Sequence, residues 1–154
     1  MAIRSCAKAI LIDGDKVLLN KCTGDRGEAY YELPGGGQNQ EEPLEDTVVR
    51  EVLEETGYPV AVERFAVLCE EIYDDGELRE KWPDYVHKVH HIFIVKPTGE
   101  PAGTPAGPDF HQEKSVWVYV GDVPFLPLRP RQVKENFSRI LRSEHPLYLG
   151  VSHI

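Results

Sequence analysis

Apolar and polar positions divide this chain into short strands with a helix set among them. Ala2–Ile12 and Lys16–Cys22 are apolar-rich and joined by Asp13-Gly14, a pair suited to a tight hairpin turn. Thr23–Ala29 is a polar loop, and Tyr30–Leu33 is a short strand closed by Pro34 and the run Gly35-Gly36-Gly37. From Pro43 to Thr56 the apolar spacing is helical. Pro43 suits the first turn, acids crowd the N-terminal half, and Gly57 followed by Pro59 supplies the stop. Val60–Tyr73 and Tyr85–Val95 read as strands on either side of an acidic loop, Asp74–Asp84. Lys96–Pro108, rich in proline and glycine, reads as an irregular excursion. Ser115–Val120 is a further strand, and Pro130–Arg142 a second helix, basic on its exposed side, before a short tail. The order β-β-β-α-β-β-β-α predicts an α/β protein with a mixed β-sheet sandwiched between helices.

Composition narrows the functional classes. At 154 residues the chain fits one domain over 1–154. With 26 acidic and 17 basic residues it is a poor partner for duplex nucleic acid, which needs basic surface to neutralise phosphates. Its longest apolar runs, Ala9–Ile12 and Ile92–Val95, fall far short of the ~20 residues that cross a bilayer. The N-terminus lacks the apolar core of a secretion signal, and Cys6, Cys22 and Cys69 have no metal-type spacing. Both features fit a reducing, cytoplasmic location.

The acidic excess is concentrated: residues 41–55 hold seven acids and one base, Arg50. On the helix that spans them, Leu44, Val48, Val49, Val52 and Leu53 form the arc expected to pack on the sheet. Glu51, Glu54 and Glu55 stand at i, i+3 and i+4, so their side chains cluster, with Glu51 and Glu55 at the edge of that arc. Three like charges repel unless a cation joins them, and hard cations such as Mg²⁺ take oxygen ligands. Beside a glycine-rich loop, the cluster reads as a metal-phosphate site. An ordinary solvated glutamate face on an amphipathic helix is the alternative.

These residues also fit a family pattern. Gly36, five residues, Glu42, seven residues, then Arg50-Glu51-Val52-Leu53-Glu54-Glu55-Thr56-Gly57-Tyr58 resembles the Nudix box, G-x5-E-x7-R-E-U-x-E-E-x-G-U with U aliphatic. Tyr58 departs from the last position, and Leu33-Pro34-Gly35 is similar to the family's lead-in. The resemblance implies an α/β/α sandwich and a hydrolase of a nucleoside diphosphate linked to another group, dependent on Mg²⁺ or Mn²⁺. It implies Glu51, Glu54, Glu55 and the Gly35 carbonyl as metal ligands, Arg50 as the residue that orients the glutamates, and Glu42 as a support of the loop. The catalytic set expected from it is Arg50, Glu54, Glu55 and Glu113. Glu54 or Glu55 assists proton removal, and Glu113, in His111-Gln112-Glu113, is the downstream candidate for the base. The implied partner is a small nucleotide-like molecule, with a homodimer also possible. A Nudix-like domain that binds nucleotide without hydrolysis is the rival reading.

Other chemistry is less well placed. His87 and His91 face one side of their strand and His90 the other, which spoils a shared zinc site. Tyr30, Tyr31, Tyr73 and Trp117 could stack on a base or fill a core. No phosphate-binding loop ending in Gly-Lys-Ser/Thr exists.

Overall fold

The expected hairpin forms in a computed structural model that describes residues 2–102 and 111–154. β1 (Arg4–Asp13) and β2 (Lys16–Thr23) pair antiparallel only beside their turn, with Ile12 opposite Val17 and Asp13 opposite Lys16. Beyond it they part. β2 continues with β3 (Ala29–Glu32) on one side and β7 (Gln112–Tyr119) on the other, both antiparallel. The edge of β1 that this frees is taken by β4 (Gly35–Gly37), which places Gly35 opposite Lys8 and Gly36 opposite Ala7. The far edge of β1 pairs in parallel with β6 (His87–Pro97), which pairs antiparallel with β5 (Val60–Ile72).

Helices cover both faces of this mixed sheet, giving the α/β architecture expected. α1 (Leu44–Thr56) lays Val48 and Val52 on Ala7, Ala9, Leu11, Phe93 and Val95. On the opposite face, Val133, Phe137 and Ile140 pack against Ile10, Val67, Ile92 and Ile94. Alternation along β1 and β6 sends neighbouring side chains into the two different cores.

Four local expectations change. The Asp74–Asp84 loop contains a short helix, α2 (Gly76–Lys81), because the Asp75 carboxylate accepts from the backbone N–H groups of Glu77 and Leu78. A 3₁₀ turn, Pro83–Tyr85, follows it. The helix expected over Pro130–Arg142 is broken into α3 (Arg131–Glu135) and α4 (Phe137–Arg142). At the break, Asn136 leaves helical geometry and its side-chain amide donates to the Gln132 carbonyl, competing with the helix ladder. The tail is a strand, β9 (Leu147–His153), parallel to β5, and β8 (Leu128–Arg129) pairs with β3. The Gly-rich run expected as a loop is a strand. Of the excursion expected over Lys96–Pro108, β6 claims the first two residues, and residues 103–108 lie outside the described residues. Among the described residues no helix is long and apolar enough to cross a membrane.

Candidate active site

The gap between β1 and β2 is where α1 meets the glycine strand. Gly35 has φ 139°, and a Cβ there would lie 2.2 Å from the Ala7 carbonyl oxygen. A Cβ on Gly36 would lie 2.6 Å from a Glu51 carboxylate oxygen. The glycines therefore let β1 on one side and a helix glutamate on the other close on the backbone.

Arg50 organises the carboxylates. Its Nε and Nη2 donate to the two oxygens of Glu42 at 2.8 and 2.9 Å, a bidentate pair. Nη2 also donates to the Gly37 carbonyl at 3.1 Å, and Nη1 to Glu51 at 2.9 Å and Glu54 at 3.2 Å. Every N–H of the guanidinium thus has an acceptor, and one side chain ties loop, glycine strand and helix together. Glu42 further accepts from the Thr47 hydroxyl and the Asn39 N–H. With Arg50 the main cause and Thr47 next, its carboxyl is held down at about 2.

Glu55 is placed differently. It is 5% exposed, and its Oε2 accepts from Asn20 Nδ2 at 2.8 Å and from the Gly35 N–H at 3.0 Å. Asn20 is itself fixed by the Ser115 hydroxyl, and the Gln112 amide reaches the Glu55 carbonyl. The expected packing arc is corrected here: Leu53, assigned to it, is 43% exposed. Polar groups supplied by β2 and β4 draw Glu55 inward, and Leu53 lies on the outer side of the same helix.

Glu51 is pushed above the ordinary carboxylate range by burial, with the neighbouring Glu54 charge adding to this and Arg50 opposing it. It therefore sits where further positive charge is favoured. Glu54 is the open member, 45% exposed and held by Arg50 alone of the described residues. The Gly35 carbonyl, expected as a ligand, accepts from Lys8 Nζ at 3.0 Å. These are hard oxygen donors suited to Mg²⁺ or Mn²⁺. Among the described residues they do not converge as a finished cage: Glu51 and Glu54 turn to Arg50, and Glu55 turns to Asn20. Because burial disfavours the charged form of Glu51, its contribution to stability is lost as pH rises through its elevated pKa. Glu51→Gln, which keeps the acceptor for Arg50, is expected to raise the Tm of the metal-free protein at neutral pH. A lower Tm would show that the Arg50 pairing outweighs the burial cost.

Glu113 is exposed on β7 and accepts from the Thr23 hydroxyl. No hydrogen bond among the described residues joins it to Glu51, Glu54 or Glu55; its neighbour Gln112 makes the contact with α1 instead. Of the aromatic candidates, Tyr30 and Tyr73 line a cleft with Lys8, Gly36 and Lys88, and Tyr85, not singled out from the sequence, joins them. Tyr31 packs against one core and Trp117 against the other, where its indole N–H donates to the Tyr58 hydroxyl. The three histidines go separate ways: His87 to Glu70, His90 to Glu71 and His91 to the Cys6 carbonyl.

The model of the NUDIX domain matches residues 3–139. The chain belongs to the NUDIX family. Membership makes it a Nudix pyrophosphohydrolase. Its Nudix fold is shared by a NUDIX hydrolase from Nitrosomonas europaea at TM-score 0.74 and 15% identity, covering 94% of this chain and 93% of that one. An ADP-ribose pyrophosphatase from Streptococcus suis superposes at TM-score 0.62 and 21% identity, covering 98% of this chain and 100% of that one. A MutT protein from Bacillus halodurans is 27% identical at TM-score 0.65, covering 98% of this chain and 90% of that one. In this Nudix protein, Tyr58 replaces the aliphatic residue of the box and docks edge-on against Trp117, with ring centroids 5.5 Å apart.

Proposed function

We propose that this Nudix protein hydrolyses a diphosphate bond in a small nucleotide-like molecule, with Mg²⁺ or Mn²⁺ held by Glu51, Glu54, Glu55 and the Gly35 carbonyl. The observation that carries this reading is the Arg50 clamp. It aligns two glutamates of α1 beside the glycine strand while leaving Glu54 open to solvent. Nudix hydrolases generally use divalent metals. When bound, such an ion neutralises phosphate oxygens and lowers the pKa of a water.

The chain's own residues supply the rest. Glu54, with its oxygens only loosely engaged by Arg50, takes the proton from the attacking water. Glu55, whose Oε2 already accepts twice, serves as a fixed anchor. Lys8 sits at Gly35 and faces the incoming phosphate; it would leave the Gly35 carbonyl when an ion arrives. The relative named as an ADP-ribose pyrophosphatase supports a nucleoside diphosphate derivative as the substrate class.

A panel of nucleoside triphosphates, sugar nucleotides, dinucleotides and ADP-ribose, assayed for released phosphate and pyrophosphate with Mg²⁺ or Mn²⁺, tests the reading. Turnover of at least one class that stops on chelation is expected. Binding across the panel with no product would favour a domain that senses nucleotide without cleaving it.

A further inference from the structure

On the sheet face opposite α1, the parallel register of β1 and β6 sets Arg4 beside Lys88, Cys6 beside His90 and Lys8 beside Ile92. Residues two apart share a face at a spacing of ~6.6 Å, so Lys8 and Arg4 bracket His90 along the groove. Lys8 reaches the Gly35 carbonyl, and the Arg4 guanidinium lies over the Tyr85 ring. Positive charge therefore flanks His90 on both sides. The cleft these residues line continues past Tyr30, Tyr73 and His111 into a second cavity bounded by Arg26 and Arg129.

His90 is 2% exposed, and its Nε2 lies 2.7 Å from Glu71 Oε1. Lys88 Nζ lies 3.3 Å from the same oxygen. Burial works against the Glu71 charge, but Lys88 and His90 overcome it and hold the carboxyl well below its ordinary range. An ionised carboxylate only accepts, so His90 Nε2 carries the proton. Burial also lowers the His90 pKa and keeps the ring neutral. Nδ1 is then a bare acceptor. It is buried and has no hydrogen-bond partner among the described residues. A buried acceptor without a donor costs stability and calls for an explanation.

We propose that His90 is a specificity-determining residue: its Nδ1 accepts a hydrogen bond from an N–H or O–H of the group that the diphosphate carries, and Glu71 fixes the tautomer that allows it. The choice of ligand rests on the hydrolase reading above; the acceptor itself does not.

The test follows the Nδ1 resonance of ¹⁵N-histidine-labelled protein in Mg²⁺ buffer as three probes are added. Ionised inorganic tripolyphosphate offers no donor. 2′,3′-Dideoxyadenosine triphosphate offers the base amino group without sugar hydroxyls, and purine riboside triphosphate offers the hydroxyls without the amino group. The resonance is expected to move toward the hydrogen-bonded position with a nucleotide and to stay with tripolyphosphate; the nucleotide that moves it names the donor. His90→Phe is expected to raise KM for that nucleotide about tenfold, with kcat within about twofold and tripolyphosphate unaffected. An Nδ1 that ignores both nucleotides overturns the assignment, as does an equal rise in KM for tripolyphosphate. A shift with no turnover of any member of the substrate panel above sinks the hydrolase reading alone, and hydrolysis without a shift sinks this one alone.

Discussion

Glu54→Gln is expected to lower kcat by about 10³-fold on whatever diphosphate substrate the protein turns over, with its fold intact. The amide keeps the size and the acceptor oxygen that Arg50 uses, but it carries no charge for a cation and cannot take a proton from water. The Glu54 side chain is only half-buried, so the change removes little packing and the Tm of the metal-free protein should move by no more than about 2 °C. Mn²⁺ should raise the wild-type Tm by mass action and raise that of the variant less. Glu113→Gln is the control. Its carboxylate is engaged by Thr23 at the surface, and kcat should stay within about twofold of wild type. If Glu113→Gln abolished turnover and Glu54→Gln spared it, the proton acceptor would lie on β7 and the role of α1 would need redrawing.

The second large effect falls on Arg50. Arg50→Ala removes a cation shared by Glu42, Glu51 and Glu54, and frees the Gly37 carbonyl from the helix. Three carboxylates then repel with nothing between them, so kcat should fall by about 10²-fold and the Tm should drop measurably. Arg50→Lys should restore little of either, because one ammonium cannot supply the forked pair to Glu42 together with the reach to Gly37 and the helix. The pH dependence separates this clamp from plain packing. Arg50 and Thr47 depress the Glu42 pKa from its ordinary 4.5 to about 2 in the folded protein. A carboxyl depressed on folding adds stability that is fully present above its unfolded pKa and is lost as pH falls toward its folded pKa. The stability gap between wild type and Arg50→Ala should therefore be widest above about pH 4.5 and close progressively toward pH 2. Thermal unfolding across that range checks it, and a gap independent of pH would assign the loss to packing instead.

Much of the site could be read along the chain because its order is local. The run from Pro43 to Gly57 states where α1 begins and ends, through a proline that suits a first turn and a glycine that adopts the left-handed C-cap. Spacing along a helix states which glutamates are neighbours. It does not state which of them turns inward. A helical wheel gives angles around an axis, and the partner that selects a face comes from elsewhere: Asn20 is 35 residues from Glu55, and Gly35 is 20 away. That is why Glu55 is buried where the apolar pattern pointed to Leu53.

The same distinction separates what each level of structure decided. Sequence alone determined the hairpin, the α1 helix, the box spacing and the family, since each depends on residues within a few turns or strands of one another. Tertiary structure decided that β4 fills the gap between β1 and β2 and that the C-terminal tail becomes β9. It also brought Glu71, Lys88 and His90 to one point from two strands. The side-chain period on a strand tells which residues share a face. The register between strands tells which faces meet, and that is set by backbone pairing and core packing summed over the whole sheet.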